Sequence, residues 1–102
     1  MHQQLQEIRD AVPSECSEAT LDELEKLVSR YEAYLNEVST SAYSCTHYFA
    51  GLKRIETALH SARFGIDETQ RERAFYKAIY HLKDDMDDFM GQVPEKPDEA
   101  ES

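Results

Sequence analysis

A chain of 102 residues has room for one domain, and at that size it hides only roughly 60 to 65% of its unfolded surface, which excludes a deep cleft between domains. Its net charge of −10, from 21 acidic and 11 basic residues, sets the surface against a phosphate backbone and so disfavours direct nucleic-acid binding. No apolar run is long enough to span a bilayer, and the start Met1-His2-Gln3-Gln4-Leu5-Gln6-Glu7 lacks both the basic and the apolar parts of a signal peptide, so a cytoplasmic protein with no membrane partner is expected.

Apolar residues make up 40% of the chain, Gly and Pro number three each, and Trp is absent. That composition suits an all-α fold. The first segment, about His2 to Val12, carries Leu5, Ile8 and Val12 on one face and stops at Pro13, whose ring clashes with the turn before it. So short a helix is stable only if docked. After the polar stretch from Ser14 to Ala19, Thr20 followed by Glu23 matches a reciprocal cap and predicts the start of a second helix.

Leu21, Leu24, Val28, Tyr31, Leu35 and Val38 recur at alternating steps of three and four, the spacing of a heptad seam. The same spacing continues through Ala42, Cys45, Phe49 and Leu52. Two outcomes are compatible with it: a turn near Ser39 to Ser41, or one helix from Leu21 to about Phe64. The turn is favoured because helices in compact domains rarely exceed 25 residues. A single long helix would need a second chain to cover its seam.

A third helix from about Ala42 to Phe64 is expected to bury Cys45, Tyr48, Phe49, Leu52, Ile55, Leu59 and Ala62, with Gly65 closing it as a left-handed residue. Asp67 with Gln70, or Thr69 with Glu72, can cap a fourth helix whose core side is Phe75, Ile79, Leu82, Met86, Phe89 and Met90. It should end near Gly91 and pair with the third helix as an antiparallel hairpin. The expected whole is a small antiparallel bundle of three main helices plus a short N-terminal one, a single domain over residues 1 to 91. Residues 92 to 102, acidic and bearing Pro94 and Pro97, are expected to form a disordered tail.

Charge is uneven along this scaffold. Residues 51 to 75 carry four acids and five bases, while residues 76 to 102 carry eight acids and three bases. The fourth helix opens with Arg71 and Arg73 and closes with Asp84, Asp85, Asp87 and Asp88, the reverse of what complements a helix dipole. Each misplaced charge costs a few tenths to about 1 kcal/mol at an exposed helix end. A helical wheel sets Tyr76, Tyr80 and Asp87 opposite the core side, with Asp84 and Asp88 beside them. Tyrosine is enriched in binding hot spots. Tyr76, Tyr80, Asp84, Asp85, Asp87 and Asp88 are therefore the candidate protein-binding residues.

Cofactor, metal and catalytic chemistry find little support. Cys45, His47, His81 and the aspartates include every ligand type a zinc site uses, but the wheel turns Cys45 inward and both histidines outward, so no metal site is expected. Glu56 and His60 are four apart and occur once, unlike the Glu-x-x-His pairs of dimetal bundles. No phosphate loop, nucleophile elbow or Cys-x-x-Cys is present, so no enzyme is expected. Cys16 and Cys45 are read as free thiols.

Two functions from different classes follow. The first is an inhibitor or adaptor that docks its acidic, tyrosine-bearing helix face on a basic surface of a partner protein, with carboxylates standing where phosphates would lie. In size and charge the chain is similar to small acidic helical proteins of phages and mobile elements, a likeness that no motif narrows to a family. The second is a coiled-coil subunit, structural or chaperone-like, pairing through Leu21 to Leu52, possible as a homodimer. A direct nucleic-acid binder using Lys53, Arg54, Arg63, Arg71 and Arg73 is disfavoured by the surrounding charge and the lack of an aromatic platform.

Overall fold

A computed structural model of the chain describes residues 3–39 and 45–92. Four helices follow in order: α1 (Gln3–Ala11), α2 (Glu18–Val38), α3 (Thr46–Phe64) and α4 (Glu68–Gln92). The described residues contain no strand, and the fold is all-α as expected. Of residues 92–102, where a disordered tail is expected, Gln92 instead ends α4 and 93–102 lie outside the described residues, as do residues 40–44, within the expected turn and the start of the third helix. No described helix is long and apolar enough to cross a membrane.

The helices pack antiparallel because their links are short and their apolar stripes face inward. Tyr48 near the start of α3 meets Asp88 near the end of α4, and Arg63 near the end of α3 meets Asp22 and Glu25 near the start of α2. The α3–α4 contact is the most extensive, α2 packs chiefly on α3, and α1 bridges α2 and α4. The separation of α2 from α3 settles the long-helix alternative in favour of two helices.

Local chemistry explains the boundaries and corrects two of those expected. The reciprocal cap starts α2 three residues upstream of the expected one. Ser17 is the capping residue: its Oγ accepts from the Thr20 amide at 3.1 Å while Thr20 Oγ1 accepts from the Ser17 amide at 2.8 Å. Thr20 thus plays the part expected of Glu23, since its hydroxyl reaches back as a longer carboxylate would. At the other end of α3, Gly65 is extended at φ −60° and ψ 156°, not left-handed. Its requirement is space: a Cβ there would come within 2.6 Å of the Ser61 carbonyl and 2.9 Å of Arg71 Cγ. Arg71 donates to the Gly65 carbonyl at 2.9 Å and takes up a group that would otherwise lack a partner. The α4 cap is the first of the two pairs expected, with Asp67 Oδ1 accepting from the Gln70 amide at 2.8 Å.

One continuous core runs through the bundle. Leu5 and Ile8 of α1 join Leu24, Tyr31 and Leu35 of α2, Leu52 and Ile55 of α3, and Phe75, Leu82, Met86 and Phe89 of α4, all almost fully buried. Leu21, Leu24, Val28, Tyr31 and Leu35 are covered by the chain's own helices, so this stretch of the seam leaves no apolar strip for a second copy. Phe49, expected at full burial, is only half-buried at the edge of the core, where Tyr48 takes the inward position. A straight helix turns slightly less per residue than a strict heptad requires, so a heptad-spaced row drifts off the buried face.

Candidate protein-binding face

The C-terminal part of α4 does not present its four aspartates on one face. Asp84 is exposed. Asp87 is held by Arg9 of α1 through a forked pair at 2.6 and 3.0 Å, in which the guanidinium donates to both carboxylate oxygens. Asp88 accepts the Tyr48 hydroxyl at 3.0 Å. Asp85 points toward α3 and lies against Gly51, where an added Cβ would land on its Oδ2 and come within 3.1 Å of its Cγ. The conflict with the helix dipole is therefore partly answered inside the fold, since two of the charges are offset by donors from α1 and α3.

Asp85 is the unusual member. Its Oδ2 is out of water and accepts no hydrogen bond, and the hydroxyl of the fully buried Tyr31 is in the same state. Burial raises the Asp85 carboxyl above its ordinary range, and the attraction of Arg54 opposes that shift without cancelling it. Burial likewise raises the Tyr31 hydroxyl, with the charge of Asp85 adding to it. Tyr48 is pushed up to about 12, by burial first and then by its bond to Asp88, so it remains a donor at neutral pH. Around this polar layer the rings of Tyr34 and Tyr48 meet Phe89 edge-on at 5.7 and 5.0 Å, an arrangement that favours one fixed packing.

Tyr76 and Tyr80 lie one turn apart on the outward side of α4, 43% and 66% exposed. Asp84 follows Tyr80 by another turn, and Asp87 borders the same strip, so four of the six candidate residues form one ridge while Asp85 and Asp88 turn toward α3. Phe64 and Ile66, also exposed, are at the α3–α4 link. Gly51 is the residue that sequence reasoning missed. An isolated glycine inside a helical pattern costs about 1 kcal/mol against alanine and usually has a packing reason, and here it makes room for a carboxylate.

Cys45 is buried at the start of α3, His47 packs its ring edge-on to Tyr48 at 5.2 Å, and His81 does so to Tyr80 at 5.6 Å. Among the described residues no group of three or more His, Cys, Asp or Glu side chains is placed to hold one metal ion. Comparisons with protein-family models, curated proteins and solved structures give no match to the chain.

Proposed function

We propose that the protein is a small helical binding module, an inhibitor or adaptor acting in the cytoplasm, that docks the outward ridge of α4 on a basic surface of a partner protein. The observation that carries this is the pair Tyr76 and Tyr80, exposed on a bundle whose other tyrosines in the described helices are buried. Two tyrosines one turn apart offer rigid, low-entropy contact area with hydroxyls at the rim. Asp84 adds negative charge beside them, the charge of Asp87 being offset by Arg9, and the net charge of −10 favours encounter with a basic protein. Because the seam from Leu21 to Leu35 is covered within one chain, the coiled-coil alternative draws less support from the packing.

The test compares baits. Wild type, Tyr80→Ala and Asp84→Asn are immobilised in parallel and exposed to lysate of the source cells, with thermal melting as the control for folding. A basic protein retained by wild type should be lost from Tyr80→Ala through faster dissociation, and should bind Asp84→Asn more slowly with a weaker salt response. Equal recovery on all three would make the ridge an ordinary solvated surface.

A further inference from the structure

The bases that cluster in residues 51 to 75 are divided by the fold into two groups. Arg63 is taken up by Asp22 and Glu25, each at 2.7 Å, and Arg71 by the Gly65 carbonyl. Lys53 and Arg54 on α3 instead share a groove with Arg73, Lys77 and His81 on α4. Its volume is about 490 Å³. Among the described residues, Lys53, Arg54, Arg73 and Lys77 form no ion pair with a carboxylate. Asp85, whose charge reaches Arg54, lies against Gly51 instead.

Four like charges around one small space repel one another, and a chain with 21 acids could have supplied a counter-charge. Among the described residues no carboxylate lines the groove, although the charge of Asp85 reaches Arg54. The groove floor carries Ala58 and Ala74, whose short side chains leave room between the helices, and the Ser61 hydroxyl is at hand on the same side. We propose that this groove binds a small, soluble, phosphate-bearing molecule, with its phosphate oxygens on Arg54, Arg73, Lys53 and Lys77 and its apolar part against the alanines.

Size and charge favour that occupant over a polymer. The volume falls within the range of about 300 to 1,000 Å³ common for small-molecule sites. Guanidinium groups pair phosphate oxygens two at a time, and a phosphate group concentrates in a few ångströms the negative charge for which a peptide would need several carboxylates. A nucleic-acid strand would continue past the groove onto the acidic end of α4 at Asp84, where it is repelled. Acids more than about 8 Å from the bound phosphate are screened at physiological salt and hinder a compact ligand little.

The test is a titration of the full chain with sodium tripolyphosphate, followed by backbone and methyl NMR shifts. Shifts should centre on Ala58 and Ala74 and vanish at high salt. Arg54→Gln combined with Arg73→Gln should weaken binding by about tenfold or more, the effect of losing two charge-assisted contacts, while Lys26→Gln on α2 should leave it unchanged. Circular dichroism of each variant guards against misfolding. No saturable shift at millimolar tripolyphosphate, or shifts centred elsewhere, overturns the proposal. So does tighter binding at these residues by a single-stranded oligonucleotide, an acidic peptide or anionic vesicles.

Discussion

Replacing Asp85 with Asn should stabilise the protein at neutral pH, although most substitutions at half-buried positions destabilise. Asp85 sits in the last turns of α4, where the helix dipole is negative, with Oδ2 out of water and without a donor. Asp84 next to it adds to the unfavourable field, and burial outweighs the attraction of Arg54. The carboxylate is only half-buried, so solvent screens part of its desolvation cost. A charge in the last turn of a helix is worth about 0.3 to 1 kcal/mol and the effect fades beyond that turn; for Asp85, two turns before the end of α4, the gain should be at most about 1 kcal/mol, a rise in melting temperature of up to roughly 8 °C for a domain of this size.

The pH dependence of that gain has a definite sign. The folded state holds the Asp85 proton more tightly than the unfolded chain does. Between the ordinary carboxyl value and the raised one the folded state therefore binds more protons, and wild type loses stability as pH rises through that window. The Asn variant lacks this loss. Its advantage should be full above the raised value and disappear below the ordinary one. Urea unfolding followed by circular dichroism across acid and neutral pH measures both limbs. An Asn variant less stable than wild type at neutral pH would refute the reasoning and mean that Arg54 holds the ionised carboxylate. A change that ignores pH would place the cause in packing.

Tyr31→Phe should keep stability unchanged or raise it by up to about 1 kcal/mol, because it deletes a buried hydroxyl that has no partner and leaves the ring in place. A clear loss in urea unfolding would reveal a hydrogen bond at that oxygen. Gly51→Ala should gain little on its own, since the helix-propensity benefit of about 0.5 to 1 kcal/mol is offset by the collision of its Cβ with Asp85 Oδ2. In an Asp85→Ala background that benefit should return. A double-mutant cycle that comes out additive would mean the carboxylate does not occupy the space above Gly51.

Much of the bundle could be read from period and punctuation. Leu24, Leu35, Leu52, Leu59, Phe75, Ile79 and Leu82 are buried where spacing placed them, because a helix presents every third or fourth side chain to one side. Pro13 and the Asp67 cap act through local sterics and hydrogen bonds that sequence records directly. The cap of α2 was legible only in kind, since Ser17 and Thr20 compete for the same role and the winner depends on where the chain enters the bundle. The candidate face was legible for Tyr76 and Tyr80 and only partly for the aspartates. Nothing local to Asp87 points to Arg9, 78 residues away, or ties Asp88 to Tyr48 across 40. Those pairings exist only once helices have docked, as does the division of the bases between ion pairs and an open groove.

The docking of α1 has a consequence for how the molecule opens. Nine residues are too few to stay helical alone in water, so α1 keeps its shape only while Leu5 and Ile8 are seated and Arg9 grips Asp87. The α3–α4 link, from Gly65 to Asp67, closes a loop of minimal length at the least entropic cost, which makes that hairpin the unit able to assemble before the rest. Release then runs in the opposite order. α1 is the latch of the bundle, and its detachment is a local event far cheaper than global unfolding, letting water and deuterium reach the flank of α2 and α4 that it covers while the hairpin stays shut.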